Sequence, residues 1–297
     1  MKKILLLIVV IFSVIFGYSL ATSNLLKNNR ELPPMPSGQK SAILRLALVS
    51  DSHKDNENLK KALRQAGGMG INLVIGLGDY TNVGTLEELR QAKEIFDQSK
   101  LDYLLTAGDH DLWDSRDKGK DPLSNFKEVF GLSSQVFEKD NIQFVIVDNS
   151  DIYKGISQED WEILKSIKSI KSTKSTTSSN SQQALDTRDT LNTRGTLIFV
   201  FAQKTPFHPD SKHVMGSESA QVADQAKELM TLLEDKKVDG FFSGDLHFFA
   251  EYQSPSGLVK MTTVGAVAKE RNFQGPRFAI LAVFDDYSWE VEDVEIR

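Results

Sequence analysis

Short apolar runs that end in aspartate or histidine recur along this chain, and they constrain its fold more than any other feature. Four of these runs are followed by polar motifs: Ser50-Asp51-Ser52-His53, Gly78-Asp79, Gly108-Asp109-His110-Asp111 and Gly244-Asp245-Leu246-His247. Runs of this length are typical of buried strands, and glycine beside the polar residue lets the backbone turn sharply. Because carboxyl ends of parallel strands meet at one edge of a sheet, we expect these side chains to converge there.

The first part of the chain predicts a parallel sheet. Apolar strands are expected at 43–49, 71–77 and 101–106, separated by helices at 56–66 and 85–98. Thr85 and Glu88 have the spacing of a capping box, which marks the start of the second helix. Strands and helices that alternate about every 30 residues are what βαβ crossovers require.

The second part predicts strands with a more antiparallel character. A hairpin is expected around Lys139-Asp140-Asn141, and Ser157 is placed to cap a helix. Further strands are expected at 197–201, 238–242, 248–252, 259–264, 278–284 and 289–296, with a helix at 219–233. Helices that flank two packed sheets are the expected layering.

Composition excludes several classes of protein. The 297 residues carry a net charge of -6, which argues against a protein that coats nucleic acid. The chain has no cysteine, so it can form neither a disulfide framework nor a thiolate metal site or nucleophile. Carboxylate, imidazole and amide groups remain available as metal ligands.

The amino end predicts export. Lys2 and Lys3 precede an apolar run at 4–16, and the small residues Ser19 and Ala21 follow it, as in a signal peptide cleaved after Ala21. Without cleavage, 4–21 is just long enough for a short membrane anchor. Both alternatives predict that the rest of the chain is extracytoplasmic, either secreted or tethered to the membrane.

Two further segments are predicted to be irregular. Residues 22–42 are polar and proline-rich, which indicates a flexible linker, so the folded domain is expected at 43–297. Within that domain, 166–195 is rich in Ser, Thr, Lys and Asn and has too little apolar surface to order itself. We interpret it as a low-complexity surface insertion.

In their order and strand-end placement, the motifs resemble those of the calcineurin-like metallophosphoesterases. The resemblance covers most of 44–284 and includes a fifth motif, Phe201-Ala202-Gln203. It implies an α/β fold, a four-layer αββα sandwich of two mixed sheets flanked by helices. It also implies a site for two divalent metal ions that hydrolyses phosphate mono- or diesters.

The resemblance implies a complete first metal site. Asp51, His53 and His247 are the expected ligands of metal one, and Asp79 is expected to bridge both ions. Imidazole and carboxylate ligands together suit manganese, iron or zinc.

The resemblance also implies the catalytic residues. His110 is expected to act as the general acid, and Asp111 to orient it. A hydroxide shared by the two ions, which lie about 3.5–4 Å apart in such sites, is expected to attack phosphorus.

The second metal site departs from the family pattern, which has Asn, His and His where this chain has Asp109, Gln203 and Asp245. With Asp79, these residues offer only oxygen ligands, which favour manganese, magnesium or calcium. Metal two is therefore expected to be a harder ion, to bind weakly or to be missing. His208 is a candidate substitute ligand or a plain surface-loop histidine.

These observations leave three functional hypotheses. The favoured one is an exported metal-dependent phosphoesterase whose substrate is a small-molecule or lipid phosphate ester. The alternative is a non-catalytic metal-binding or binding module that kept the fold and lost the second metal site. A third is a cell-surface scaffold in which the segment 166–195 contacts the partner.

Overall fold

Two mixed β-sheets form the frame of this protein in a computed structural model that describes residues 40–167 and 196–297. The predicted signal segment 1–21, the linker up to residue 39 and 168–195 of the insertion lie outside the described residues. In chain order the described strands are β1 (Ala42–Val49), β2 (Leu73–Leu77), β3 (Asp102–Thr106), β4 (Gln135–Lys139), β5 (Ile142–Ile146), β6 (Leu197–Ala202), β7 (Gly240–Ser243), β8 (Ala250–Gln253), β9 (Lys260–Thr263), β10 (Arg277–Phe284) and β11 (Trp289–Glu295).

The first sheet has the order β11-β10-β1-β2-β3. Its strands β1, β2 and β3 run parallel, as the βαβ spacing predicts, whereas β10 pairs antiparallel with both of its neighbours. The three parallel strands therefore end at the same edge.

The second sheet has the order β4-β5-β6-β7-β9-β8. Its four central strands β5, β6, β7 and β9 are parallel, and only the edge strands β4 and β8 pair antiparallel. The expectation of a more antiparallel second half is confirmed for the β4–β5, β8–β9 and β10–β11 pairs, but it fails for the parallel centre of this sheet. Asp140 and Asn141, both with positive φ, close the antiparallel hairpin of β4 and β5. The hairpin's sequence signal is local and does not predict how the central strands of the sheet pair.

The continuous apolar character of the strands reflects burial on both faces. On β5, Phe144 and Ile146 pack in the core between the two sheets, while Val145 and, just beyond the strand, Val147 pack in the core beneath the helices. Successive side chains of a strand point to opposite faces, so a strand in a middle layer needs apolar residues at every position.

Helices cover the outer face of each sheet. The described α-helices are α1 (Asn56–Gly68), α2 (Leu86–Ser99), α3 (Trp113–Asp117), α4 (Ser124–Phe130), α5 (Gln158–Lys165) and α6 (Ala220–Asp235). Helices α1, α2 and α4 pack on the first sheet, and α5 and α6 on the second. The predicted four-layer αββα sandwich is confirmed. Helices α3 and α4 were not predicted, because segments this short carry little periodic signal. Of the helices in the described ranges, none is both long and apolar enough to cross a bilayer.

Replacing Leu46 in the core between the sheets tests this packing. Leu46 is fully buried, so we expect Leu46→Ala to lower the free energy of unfolding by about 2–5 kcal/mol through lost contacts and a cavity. The matched change Leu258→Ala, at a residue that is 70% exposed, should shift it by about 0.5 kcal/mol at most. Urea unfolding measures both values, and equal losses would contradict the assigned core.

Candidate metal centre

The structure brings the predicted metal ligands together at the carboxyl ends of strands from both sheets. They follow five strands: Asp51 and His53 follow β1, Asp79 follows β2, Asp109 follows β3, Gln203 follows β6, and Asp245 and His247 follow β7. In the described part of the chain, three groups drawn from these residues and the predicted general acid His110 place ligand atoms within 4.8 Å of one another: Asp51-His53-His247, His53-Asp79-His110 and Asp79-Asp109-Asp245.

The backbone turns through left-handed conformations at five of these residues. The φ angles are 52° at Asp51, 41° at His53, 55° at Asp79, 68° at Asp245 and 62° at His247. Such angles are uncommon outside glycine, cost on the order of 1–3 kcal/mol each and cluster at functional sites. They turn the chain at the strand ends, where the ligand side chains meet.

The first cluster consists of Asp51, His53 and His247, with Asp79 at its edge, and the two imidazoles lie at its centre. Their Nε2 atoms lie 3.1 Å apart, His53 Nε2 lies 3.8 Å from Asp79 Oδ2, and His247 Nε2 lies 3.8 Å from Asp51 Oδ1. Imidazole nitrogens bind zinc at about 2.0–2.1 Å, so two of them on one ion lie about 3 Å apart. The donor set and spacing therefore fit a transition-metal ion.

The protonation of this cluster also suits a metal. Burial, together with repulsion from His110 and His247, lowers the pKa of His53 to about 3, which keeps its imidazole in the neutral, metal-binding form. Burial raises the pKa of Asp51 to about 6. A cation beside Asp51 would favour its charged carboxylate form.

Asp79 lies between the first cluster and a second cluster, which consists of Asp109, Gln203 and Asp245. Its Oδ2 is 3.4 Å from Gln203 Nε2 as well as 3.8 Å from His53, while its Oδ1 accepts a hydrogen bond from the His110 N–H at 3.0 Å. Gly108 allows this approach, because a Cβ there would lie 2.1 Å from Asp79 Oδ1. Burial and the nearby Asp109 carboxylate raise the pKa of Asp79 well above its ordinary value. Asp79 therefore belongs to two groups of candidate ligands, one with His53 and His110 and one with Asp109 and Asp245.

The second cluster contains a lysine that the sequence did not predict. Lys204 Nζ lies 2.7 Å from Asp245 Oδ1 and 3.1 Å from Asp109 Oδ1. Gln203 Nε2 donates to the same two oxygens, at 3.2 Å and 3.0 Å respectively. Gln203, predicted to be an oxygen ligand, here presents its amide nitrogen to the carboxylates.

Strong charge interactions hold this lysine. Burial would lower the pKa of Lys204, but the carboxylates of Asp245 and Asp109 outweigh burial and raise it. Burial would raise the pKa of Asp245, but Lys204 and His213 outweigh burial and lower it to about 2. The ammonium and the Asp245 carboxylate are therefore both charged at neutral pH.

Two further residues that sequence reasoning missed support the cluster. Asn149 is fully buried; its Nδ2 donates to the carbonyl oxygen of Lys204 at 2.6 Å, and its Oδ1 accepts the Lys204 N–H at 2.9 Å. His213 Nε2 lies 3.5 Å from Asp245 Oδ1. Both side chains depend on long-range contacts, so the only sequence signal was the position of Asn149 just beyond β5.

His110 lies beside the first cluster and is oriented by the main chain. Its Nδ1 lies 2.7 Å from the carbonyl oxygen of Asn82, which fixes the proton on Nδ1. Its ring stacks on Trp113 and meets the ring of His53 edge-on, with centroids 4.0 Å and 4.6 Å apart. The Nε2 atom is left without a hydrogen bond to any residue of the described ranges.

The prediction that Asp111 orients His110 is wrong. The Asp111 carboxylate accepts hydrogen bonds from the backbone N–H groups of Gly108, Tyr80 and Thr81, and from the Thr81 hydroxyl. Burial raises its pKa to about 7, although these hydrogen bonds oppose the rise. Asp111 therefore fixes the loops after β2 and β3 to one another.

His208 is neither a substitute ligand nor a surface-loop histidine. It is 8% exposed, and its ring packs edge-on against Phe248 and Tyr252. Its Nδ1 accepts the backbone N–H groups of Asp210 and Ser211. His208 is absent from the clusters of candidate ligands found in the described chain.

Comparison with protein families gives one match over most of the chain. A family model described as calcineurin-like phosphoesterase matches residues 44–249. A search of curated proteins found no match to this sequence.

Solved structures share the fold at low sequence identity. A dimetal phosphatase from Danio rerio is 14% identical with a TM-score of 0.54, and the match covers 86% of this chain and 100% of that one. The purple acid phosphatase PPD1 from yellow lupin seeds is 15% identical with a TM-score of 0.57, over 88% of this chain and 52% of that one. GAP50, described as the anchor in the inner membrane complex of Plasmodium, is 14% identical with a TM-score of 0.52, over 86% of this chain and 85% of that one.

Removing either imidazole of the first cluster tests its affinity for metal. Loss of a residue that only orients a ligand typically costs 10–100-fold, so we expect His53→Ala and His247→Ala to weaken Mn²⁺ binding by more than about 100-fold. His208→Asn keeps an acceptor for the backbone N–H groups and should leave the dissociation constant unchanged. Isothermal titration of the full-length chain measures the three values. Mn²⁺ binding by His53→Ala within tenfold of the unaltered chain would exclude this cluster as the metal site.

Proposed function

The chain belongs to the calcineurin-like phosphoesterase family, and we propose that it is an exported, metal-dependent hydrolase of a phosphate mono- or diester. The observation that supports this most is the first cluster, in which ligand atoms of Asp51, His53 and His247 lie within 4.8 Å of one another, with Asp79 Oδ2 3.8 Å from His53 Nε2. Asp51, His53 and His247 are held there in left-handed backbone conformations, which cluster at functional sites.

The first cluster would hold its ion through Asp51, His53, Asp79 and His247, with manganese, iron or zinc as the expected metal. Such an ion supplies Lewis-acid polarisation of a phosphoryl oxygen and acidifies a water nucleophile. The protein's contribution is a fixed set of imidazoles and buried carboxylates that needs little rearrangement, with the His53 imidazole kept neutral by its lowered pKa.

His110 is the proposed general acid. With Nδ1 fixed on the Asn82 carbonyl oxygen, a protonated His110 presents its second proton on Nε2, beside the first cluster. From there it can protonate the leaving-group oxygen as the phosphorus–oxygen bond breaks. Stacking on Trp113 holds the ring in this orientation.

A cleft beside His53 is the proposed route for substrate. It has a volume of about 510 Å³ and is lined by His53, Lys54, Asn82 and Lys269, among others. Two acidic residues, Asp55 and Glu270, also line this opening, so the lining has no net formal charge, but Lys54 and Lys269 can still contact a phosphate ester. We propose a small-molecule or lipid phosphate ester as the substrate class.

Turnover of aryl phosphates tests the reaction and the role of His110. The full-length chain with Mn²⁺ should hydrolyse 4-nitrophenyl phosphate or its diester, and His53→Ala should abolish this activity. His110→Ala should keep the affinity for Mn²⁺ and lower kcat by about 10²–10⁴-fold for phenyl phosphate. The loss should be smaller for 4-nitrophenyl phosphate, because 4-nitrophenolate leaves more readily without a proton.

Three results would contradict these assignments. No turnover with any divalent metal would argue against a hydrolase. Equal losses for both leaving groups, or a matching loss of metal affinity, would argue against His110 as the acid. His208→Asn is the control, because its imidazole lies outside the clusters.

A non-catalytic binding module is the second candidate. It is favoured by Lys204 and Gln203, whose donors face the carboxylates of the second cluster. The same fold occurs in GAP50, which is described as an anchor. This candidate predicts metal binding without turnover, so the aryl phosphate assay separates it from the hydrolase.

Export is proposed from the amino end alone. The paired lysines and the apolar run at 4–16 support either a cleaved signal or a membrane tether. We expect a chain expressed with its native amino end to leave the cytoplasm, beginning at Thr22 if cleaved and membrane-bound if not. Leu7→Arg, inside the apolar run, should block export, whereas Leu26→Arg, beyond it, should not. Fractionation and amino-terminal sequencing measure this, and an intact chain in the cytosol would contradict export.

A further inference from the structure

We propose that the ammonium group of Lys204 takes the place of the second metal ion, so that this centre works with one metal ion and one covalently attached cation. The inference rests on the first cluster of the proposed function, which holds the single ion. It departs from the two-metal site that the family resemblance implies.

The first argument is the position of the ammonium. The Asp79, Asp109 and Asp245 carboxylates form the group that would otherwise hold metal two. Lys204 Nζ lies 2.7 Å from Asp245 Oδ1 and 3.1 Å from Asp109 Oδ1, distances of charge-assisted hydrogen bonds. Lys204 is only 3% exposed, so it is a built part of the cluster.

The second argument is competition for the same oxygen atoms. A divalent ion bound to Asp245 Oδ1 at about 2.0–2.6 Å would lie no more than about 5.3 Å from Lys204 Nζ. Two positive charges at that separation repel in a buried site. Gln203 Nε2 donates to the same oxygens and adds two hydrogen atoms where a metal ligand would offer a lone pair. The second position therefore does not fit a metal while Lys204 is present.

The third argument is that Lys204 is held in place. Asn149, fully buried, forms hydrogen bonds to both the N–H and the carbonyl oxygen of Lys204, so its backbone has little freedom. Lys204 Nζ contacts the carboxylates of Asp109 and Asp245. We therefore describe it as a positioning residue, which holds these carboxylates beside the first cluster.

Removal of the ammonium should create a second metal site. Among the described residues, Asp245 Oδ2 and Gln203 Oε1 are buried and have no hydrogen-bond partner. Without Lys204, rotation of the Gln203 amide would turn its oxygen toward the three carboxylates, and the cluster would gain an all-oxygen donor set for a hard divalent ion. Lys204→Gln keeps a polar side chain and removes the charge.

Metal counting tests the inference. Mn²⁺ titration by calorimetry, with elemental analysis after dialysis, should give one ion per chain for the unaltered full-length protein. Lys204→Gln should bind two ions, whereas Lys204→Arg, which keeps the charge, and Lys212→Gln, an exposed lysine on the same loop, should bind one. Lys204→Gln should also show a lower melting temperature without metal and a larger rise on adding Mn²⁺.

Each remaining outcome bears on the proposal. If Lys204→Gln folds only when Mn²⁺ is present, the ion is replacing the ammonium, which supports the inference. Two ions in the unaltered chain, or one ion and no rescue by Mn²⁺ in Lys204→Gln, would overturn it. No ion in the unaltered chain would contradict the metal-dependent function as well, so the failures of the two proposals are distinguishable.

Discussion

Negative charge buried at one edge of the two sheets is the constraint on which this structure depends. Asp51, Asp79 and Asp245 are almost inaccessible to solvent, and ligand oxygens of Asp79, Asp109 and Asp245 lie within 4.8 Å of one another. At an effective dielectric constant of about 20, each charged pair at that distance costs roughly 3 kcal/mol. The sandwich can hold these groups together only if cations or protons neutralise part of the charge. The raised pKa of Asp79 favours its neutral, protonated form, and the Lys204 ammonium supplies a positive charge. Both reduce the net negative charge of the site.

Hydrogen bonds between the strand-end loops offset the strain that this arrangement imposes. The N–H groups of Asp51 and His53 donate to the carbonyl oxygens of Gly78 and Asp79, so the pairing of β1 with β2 continues beyond the strands. The N–H of Asp245 in turn donates to the Asp51 carboxylate, which links the second sheet to the first. Left-handed backbone at these positions persists because contacts from both sides determine it.

The layered fold could be predicted because its signals are local, whereas the second cluster depends on contacts that no local pattern encodes. Apolar runs, caps and strand-end aspartates lie within a few residues of one another. Alternation along a strand would send the adjacent Gln203 and Lys204 to opposite faces. In the structure both reach Asp109 and Asp245, because the chain leaves β6 after Ala202. His110 gives a similar lesson, since the carbonyl oxygen of Asn82 that orients it is a main-chain atom with no sequence signature.

The three departures from the family pattern become consistent with one another once the cation is an ammonium. A metal ion accepts lone pairs, so neutral imidazole and amide ligands suit it. An ammonium donates protons and is held best by charged acceptors. Asp109 and Asp245 provide such acceptors. One ammonium cannot balance the charge of both carboxylates, and the Gln203 amide donates further hydrogen bonds to the same oxygens. Each change weakens a metal site when taken alone. Together they form a partner for Lys204, which explains how a centre can lose its second set of metal ligands and still keep a positive charge beside Asp79.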